Sequence, residues 1–199
     1  MNKGRLFIIS GPSGSGKDTV LQKLFQKKNI NFSISTITRP MRSGEVEGEK
    51  YNFISREQFE SLIANDMLLE YNVYLDNYYG TPKIPVEQSL KEGKDMIIEV
   101  DVNGAHQIRN KMPEAVSIFI MPPSLEVLKA RLSGRGTESK EQVEKRIAEA
   151  LNEIKRAVEY DCIVVNDDID EAVDNILTII DADRFSTERN LDLLRNIII

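Results

Sequence analysis

The sequence predicts an α/β fold built on one doubly wound parallel sheet, and three observations support that fold class. Short, continuous apolar runs end in glycine or polar residues, as do strands that are buried on both faces of a parallel sheet. Stretches with apolar residues at helical spacing separate these runs. A glycine-rich loop joins the first run to the first helical stretch. This alternation predicts three layers, with helices on both faces of the sheet.

The first strand, the loop and the first helix form one predicted unit. Residues 6–10 are apolar up to a serine and run directly into glycines, which predicts a buried strand. A helix is predicted from Thr19, with lysines on its solvent side. Its predicted buried residues are Val20, Leu21, Leu24 and Phe25.

Three more apolar runs, at 96–102, 117–121 and 162–165, predict the remaining buried strands. Cys162, the one cysteine, opens the last run and is expected to be a buried small hydrophobe. Residues 32–79 differ, because they combine aromatics, scattered glycines and short alternating segments. We interpret that stretch as a small mixed insertion.

Helical periodicity continues in the second half of the chain. A helix is predicted from Ser124, after two prolines, and glycines at 134 and 136 predict a mobile loop behind it. Two further helices follow. The predicted apolar face of the first consists of Val143, Ile147, Leu151, Ile154 and Val158. That of the second consists of Ala172, Val173, Ile176, Leu177 and Ile180.

Composition and charge exclude several classes of protein. The 199 residues fit one compact domain, and 41% hydrophobic with 29% charged residues is ordinary for a globular protein. The net charge of −6 argues against nucleic-acid binding, which usually needs a basic surface. The apolar run at the start is too short for a membrane span or signal segment, so we expect a cytoplasmic protein. The one histidine, His106, has no second His and no Cys nearby, and we expect it at the surface.

Residues 11–17 carry the pattern of a phosphate-binding loop between a predicted strand and a predicted helix. In such loops the backbone N–H groups and the helix N-terminus bind phosphate oxygens, and the lysine reaches the outer phosphates. Asp18 follows where a Ser or Thr usually binds Mg²⁺. Two roles stay open for Asp18, binding the ion through water or capping the helix, while Thr19 offers a hydroxyl. The loop itself is Gly11, Pro12, Ser13, Gly14, Ser15, Gly16 and Lys17.

A second anion site is predicted from Arg39 and Arg42, which are three residues apart, with Tyr51 shortly after. Such a group can grip a phosphate through paired N–H donors and a hydroxyl. Taken alone, a pair of arginines is more often a solvated surface feature. Beside a phosphate-binding loop, the binding interpretation is favoured.

Residues 32–53 resemble the guanylate kinase family, a group of P-loop nucleoside monophosphate kinases. The resemblance continues in order through Leu69-Glu70-Tyr71 and the segments 77–81, 134–138 and 165–168. It spans roughly residues 4 to 184 and implies ATP-dependent phosphorylation of GMP, with Mg²⁺ arriving with ATP. It also implies one domain with a P-loop NTPase-like core at 1–33, 84–123 and 147–199, a GMP-binding region at 34–83 and a lid at 124–146.

By resemblance, the GMP-binding region holds the phosphate through Arg39, Arg42, Tyr51 and Tyr79. Glu70 is then placed to accept hydrogen bonds from the guanine N1–H and 2-amino groups. Adenine offers neither donor, so it leaves the carboxylate unpaired, and a site of this kind discriminates by about 10⁴ or more. Ser35 and Thr81, with Gly80 beside them, are implied at the remaining guanine edge.

Two acids, Glu99 and Asp101, alternate along the predicted strand at 96–102 and are expected on one face of it. Ligands gather at the carboxyl ends of such strands, so Asp101 is expected to hold an Mg²⁺-bound water or an amino group of the nucleotide. The family more often has Asp at the position of Glu99. A salt bridge to Lys17 or to an arginine is the structural alternative for these acids.

The expected mechanism needs no general base, because the GMP phosphate has a second pKa of about 6 and is largely dianionic at neutral pH. Cations are expected to surround the transferring group, with Arg131 as a further candidate and a lid that delivers the lid arginines when ATP is bound. Asn166 and Asp167 are implied near adenine. The expected catalytic cations are Lys17, Arg39, Arg42, Arg135 and Arg146.

Two alternatives remain at this point. One is a kinase for AMP, UMP or dTMP, which Glu70 argues against. The other is a guanylate-kinase-like module that binds protein partners without catalysis, which Lys17 argues against. The apolar end of residues 184–199 leaves monomer and homodimer equally open.

Overall fold

The computed structural model describes residues 3–133 and 139–198, and within them it contains nine strands and eight α-helices. The strands are β1 (Leu6–Ser10), β2 (Asn31–Phe32), β3 (Ser35–Ile37), β4 (Tyr51–Phe53), β5 (Leu68–Tyr74), β6 (Asn77–Pro82), β7 (Met96–Glu99), β8 (Val116–Met121) and β9 (Cys162–Val165). The helices are α1 (Lys17–Lys27), α2 (Arg56–Ala64), α3 (Lys83–Lys91), α4 (Val102–Lys111), α5 (Leu125–Ser133), α6 (Lys140–Lys155), α7 (Ile169–Asp183) and α8 (Leu191–Ile198).

These strands form two sheets. The larger has the order β2-β7-β1-β8-β9, and its β2–β7 and β8–β9 pairs are parallel. The smaller has the order β4-β3-β6-β5 and is mixed, because β3 pairs parallel with β4 and antiparallel with β6. The predicted α/β fold with a parallel sheet and a mixed insertion is therefore confirmed.

The chain divides into two compact units. The first consists of Met1–Lys3, Ile9–Asn29 and Val116–Ile199 and carries α1, β8, β9 and α5 to α8. The second consists of Gly4–Ile8 and Ile30–Ala115 and carries the mixed sheet with α2, α3 and α4. Strand β1, all of whose residues are buried, contributes to both.

In the first unit, α1 begins at Lys17, two residues earlier than predicted. Its buried residues include Val20, Leu21 and Leu24, as predicted, while Phe25 is half-buried. Helix α7 pairs with α1 through three exposed lysine–aspartate bridges. Exposed bridges stabilise little, but they join α7 to the helix whose first turn carries Lys17. The bridges are Lys23–Asp170, Lys27–Asp174 and Lys28–Asp181.

The expected burial of β9 on both faces is wrong. The strand lies at the edge of the sheet, and Ile163 and Val165 are 51% and 47% exposed on either side of buried Val164. Side chains alternate between the faces of a strand, so one face of β9 is open. Cys162, which shares the face of Val164, is half-buried rather than buried, and burial raises the pKa of its thiol.

The predicted apolar face of the helix at 143–158 is only partly correct. Ile147 and Ile154 of α6 pack against a core that includes Ala150, whereas Leu151 is exposed. Ala150 follows Ile147 by three residues, and this turns the buried stripe away from Leu151. Val158 is 88% exposed because it lies beyond α6, in the 3₁₀ helix Arg156–Glu159, where the helical period changes.

The strand predicted at 96–102 is too long. Strand β7 ends at Glu99, and Asp101 is the N-cap of α4, where its side chain accepts hydrogen bonds from the backbone N–H groups of Asn103 and Gly104. A capping aspartate at this point starts a helix and ends the strand. Glu99 and Asp101 therefore do not share a strand face, contrary to the sequence-based expectation.

The C-terminal segment ends in α8, whose apolar residues Leu193, Ile197 and Ile198 are exposed. His106 is exposed on α4, as expected, with Asn110 as its side-chain neighbour. In residues 3–133 and 139–198, no helix has both the length and the apolar character needed to cross a membrane.

Candidate functional site

The loop between β1 and α1 turns tightly against β8. A Cβ at Gly11 would lie 2.2 Å from the carbonyl oxygen of Ile120, and the backbone there has φ = 152°. No side chain fits at this position, so the glycine lets the loop leave β1 alongside β8. Glycine is thus required at the first position of the phosphate-loop pattern, because there is no room for a Cβ and the backbone has a positive φ.

Gly16 is the N-cap of α1, with φ = 84° in the left-handed region. The helix starts there without a side-chain cap, so its first N–H groups are available to an anion. The Lys17 ammonium donates to the carbonyl oxygen of Gly11 at 3.0 Å, which holds the lysine over the loop. Backbone donors, the helix N-terminus and one cation together make an anion site.

Asn166 and Arg131, two residues predicted at the ATP site, form hydrogen bonds to the phosphate loop although neither belongs to it. The Asn166 amide donates to the Ser15 carbonyl at 2.7 Å, and Arg131 donates to the same carbonyl at 3.2 Å. Asp167 behaves differently from its neighbour, since it is exposed and lines a cavity of about 600 Å³ between β9 and α7, together with Val165 and others.

Helix α6 reaches the loop through two side chains that meet at Ser13. Arg146 donates to the Ser13 hydroxyl at 3.1 Å, and Glu153 accepts from the Ser13 backbone N–H at 3.3 Å. The predicted cation Arg146 therefore lies at the phosphate loop, while Glu153 was not anticipated. The other lid arginine, Arg135, lies outside the residues that the structure describes.

The predicted second anion site is built around Arg39, which is buried in the second unit. Its guanidinium makes a bidentate pair with Glu45, with N–O distances of 2.7 and 2.6 Å. The Glu45 carboxylate also accepts from the Arg42 backbone N–H at 2.7 Å. These contacts with Arg39, and next with Arg42, lower the pKa of Glu45 to about 2.

Aromatic side chains complete this arginine cluster. The Arg39 guanidinium lies 5.4 Å from the centre of the Tyr51 ring and 5.7 Å from that of Phe53. Hydrogen bonding to Glu45 first, and further contact with Tyr79, raises the pKa of Arg39. The structure thus brings Arg39, Tyr51 and Tyr79 together, and it connects the exposed Arg42 to them through Glu45.

Sequence reasoning missed Glu45. Its signal was the spacing Arg-x-x-Arg-x-x-Glu, which places a carboxylate three residues after the second arginine. The local fold explains the contact, because residues 42–45 form a turn in which the Glu45 N–H donates to the Arg42 carbonyl. That turn brings the carboxylate back toward Arg39.

Glu70 is a buried carboxylate on β5, only 5% exposed. The Thr81 hydroxyl donates to its Oε1 at 2.7 Å, as the pairing of β5 with β6 places the two residues opposite each other. Its Oε2 lies against the first turn of α4, where a Cβ at Gly104 would approach it to 2.8 Å. Burial raises the pKa of Glu70 to about 7, although the Thr81 hydrogen bond opposes the shift.

The mixed sheet places the other predicted base-site residues near this carboxylate. Gly80 is buried between Glu70 and Phe59, and it pairs with Thr36 of β3. Ser35, one residue earlier on β3, is half-buried and pairs with Tyr51. The sheet register thus links the Glu70–Thr81 pair to the strand that carries Ser35.

The two acids near the end of β7 have separate partners. Glu99 forms a salt bridge with Lys50 at 3.2 Å, so its ion-pair partner differs from the lysine or arginine proposed from the sequence. Asp101, besides capping α4, accepts hydrogen bonds from the side-chain amide of Asn72 at 2.9 and 3.0 Å. This places Asn72 of β5 beside the predicted base site, which sequence reasoning missed.

No cluster of three potential His, Cys, Asp or Glu metal ligands occurs within the described part of the chain. The first turn of α1 does present oxygen donors, because Asp18 and Thr19 are both exposed next to Lys17. A carboxylate and a hydroxyl are hard oxygen ligands of the kind that Mg²⁺ prefers. The chemistry of this turn therefore fits an Mg²⁺ ion that arrives with a bound phosphate ligand.

The chain matches the family model described as guanylate kinase over residues 3–183. It is 48% identical to a guanylate kinase of Neisseria gonorrhoeae, with 98% of this chain and 97% of that protein aligned. It is 50% identical to a guanylate kinase of Oceanobacillus iheyensis, with 94% and 91% aligned. It is also similar to the crystal structure of guanylate kinase from Anaplasma phagocytophilum, with a TM-score of 0.78 at 35% identity over 97% and 94% of the two chains. The matched range includes both the phosphate loop and the mixed insertion.

Proposed function

Because this chain belongs to the guanylate kinase family and catalyses the ATP-dependent phosphorylation of GMP to GDP, we propose a role in that reaction for residues of each unit. The second unit, within the region 34–83, binds GMP. The first unit binds ATP at the phosphate loop. The chemistry of each site supports this division.

The Glu70–Thr81 pair reads the guanine base, with Ser35 at the remaining edge. The Glu70 carboxylate is buried, and its partners leave lone pairs for the N1–H and 2-amino donors of guanine. Bringing an adenine to this carboxylate would bury a charge without a donor, which costs far more than a poor apolar fit. Asp101 and Glu99 border the same strand end and contribute to the polarity of the base site.

The arginine cluster holds the GMP phosphate. Arg39 has five N–H donors. Glu45 takes two of them and the Pro40 carbonyl a third, so the guanidinium keeps donors for a phosphate oxygen. Arg42 and the hydroxyls of Tyr51 and Tyr79 add further donors. The burial of Arg39 strengthens its interaction with an anion, because water screens it less.

The phosphate loop holds the phosphates of ATP, and Thr19 and Asp18 would help to hold the Mg²⁺ ion that accompanies them. Bound Mg²⁺ would neutralise charge on the phosphate oxygens. Lys17 and Arg146, with Arg135 of the predicted lid, are the cations proposed for the transferring group. The GMP phosphate dianion attacks the γ-phosphorus of ATP without a general base, and ADP leaves. Catalysis therefore consists of aligning the two nucleotides and neutralising the charge on the transferring group.

The buried Glu70–Thr81 pair carries the substrate assignment, and a panel of acceptors tests it. The value of kcat/KM, measured through ADP release, should be at least about 100-fold higher for GMP than for AMP, UMP or dTMP. A coupled assay at fixed Mg–ATP measures this. Faster turnover of AMP or dTMP would overturn the assignment, and no turnover of any acceptor would favour a protein-binding module.

Replacing Glu45 with Gln should raise KM for GMP by about tenfold with a smaller change in kcat. A neutral amide cannot make the bidentate ion pair, so the Arg39 guanidinium loses its fixed orientation toward the phosphate. Steady-state kinetics with varied GMP measure the effect. Glu49→Gln, an exposed glutamate in the same loop, is the matched control. A lower KM in Glu45→Gln would mean that Glu45 acts mainly as a competing anion.

The setting of the reaction is part of the same proposal. A GMP kinase serves purine nucleotide metabolism, and we place it in the cytoplasm, as a monomer or a homodimer. The partition into a core, a GMP-binding region at 34–83 and a lid at 124–146 remains a proposal. A closure of 124–146 on binding ATP would be read from hydrogen exchange in that segment with and without Mg–ATP.

A further inference from the structure

The carbonyl oxygen of Ser15 accepts hydrogen bonds from two side chains outside the phosphate loop. The Asn166 Nδ2 donates to it at 2.7 Å and the Arg131 Nη1 at 3.2 Å. Arg131 also donates through Nη2 to the Asn166 backbone carbonyl at 3.0 Å. The two donors are therefore connected to each other as well as to the loop.

The backbone of Asn166 is fixed independently of the loop. Its N–H donates at 2.8 Å to the carbonyl of Met121, the last residue of β8. Its side chain is buried, and a Cβ at Gly16 would lie 2.4 Å from Nδ2. Asn166 is thus anchored to β8 through its backbone and holds the peptide between Ser15 and Gly16 through its side chain.

That peptide has a defined direction because it is planar and trans. In such a peptide the C=O and N–H bonds point to opposite sides. Holding the Ser15 carbonyl outward toward Asn166 therefore aims the Gly16 N–H inward, where the loop binds phosphate oxygens. An N–H held in place before the ligand arrives needs no reorganisation when it binds.

The unused atoms of this cluster also favour a functional purpose. Within the described structure, the Asn166 Oδ1 and the Ser15 hydroxyl are buried and have no hydrogen-bond partner. A buried amide that served stability alone would be expected to satisfy its acceptor. Here only the donor is used, and it acts on the loop.

We propose that Asn166 and Arg131 are positioning residues that clamp the Ser15 carbonyl. They thereby fix the direction of the Gly16 N–H before the phosphates of ATP bind. The inference rests on the proposed binding of ATP at this loop. It differs from an adenine contact for Asn166, because a clamp on the loop acts on the phosphates whatever base they carry.

The test compares two donors that share the triphosphate and differ in the base. In Asn166→Ala, kcat/KM for Mg–ATP and for Mg–CTP should fall by the same factor, about tenfold or more, with GMP saturating. The unfolding midpoint and the Kd for GMP are measured on the same samples. A loss of stability alone lowers the midpoint but leaves the kinetic constants of the folded protein unchanged.

Asn110→Ala, an exposed asparagine on α4, is the matched control and should leave both donors unaffected. If kcat/KM in Asn166→Ala falls for ATP but not for CTP, the clamp is overturned in favour of base recognition. Unchanged kcat/KM for both nucleotides would also overturn it. A wild-type protein that fails to phosphorylate GMP in this assay would instead remove the proposed function, so the two failures are distinguishable.

Discussion

Lys17→Met is expected to lower kcat by about 10² to 10³-fold, the loss typical of removing one preorganised charge from a transition state. The Lys17 ammonium lies over the loop and is held there by the Gly11 carbonyl at 3.0 Å. Methionine keeps the length and the apolar contacts of the side chain but has no charge. The transferring phosphoryl group then loses a cation that offsets its negative charge, and because Lys17 is half-buried, water screens this interaction less than at the surface.

The measurement is single-turnover transfer from Mg–ATP to GMP, which separates chemistry from product release. Lys23→Met provides the matched control, because Lys23 lies on the same helix but forms an exposed pair with Asp170. The control should retain nearly full activity and lose little stability. Near-normal turnover in Lys17→Met would remove the phosphate loop from the mechanism.

The parts of this site that were predictable are those specified by neighbours in the sequence. The loop at 11–17 follows a strand and precedes a helix, and its glycines are needed for conformations that only they adopt easily. The apolar run of β1 is buried over its whole length, as a central strand must be. The burial of Glu70 was not predictable from its neighbours, since a lone acid after an apolar run suggests a surface residue, and its proposed role comes from the family resemblance.

The parts that were missed depend on contacts between distant segments or on competing local signals. The edge position of β9 is a property of strand order, which its Ile and Val content does not reveal. The apolar alternation that continues through Val102 predicts a strand at Asp101. In the structure Asp101 is instead the N-cap of α4, a position for which aspartate has a strong preference. The Ser15 clamp joins residues 151 positions apart, so no local pattern predicts it.

Glu70→Gln should lower kcat/KM for GMP by about 10² or more and narrow the preference for GMP over AMP. Glutamine offers one carbonyl oxygen to guanine where the carboxylate offers two, and its NH₂ group faces guanine donors instead of accepting from them. Thr81 can still donate to the carbonyl, so the loss comes from the base contact. Competition between GMP and AMP in one reaction measures the change in preference.

The same substitution is expected to stabilise the protein above neutral pH. The pKa of Glu70 is about 7 in the folded protein and 4.5 in the unfolded chain, so the wild type loses stability as pH rises from 4.5 to 7 and no more beyond that. The gap corresponds to a cost on the order of 3 kcal/mol at pH 8. A neutral Gln avoids that cost, so urea unfolding should favour the variant at pH 8 and not at pH 4.5.

GMP binding supplies the link between these two effects. Donors from guanine favour the ionised carboxylate, so wild-type affinity for GMP should fall as pH drops from 8 to 6 and Glu70 takes up a proton. The GMP phosphate also titrates near pH 6, but it does so equally in the variant, so the difference between the two profiles isolates Glu70. Glu92→Gln, an exposed glutamate, should follow the wild-type profile. Parallel profiles for wild type and Glu70→Gln would mean that this carboxylate does not meet the base.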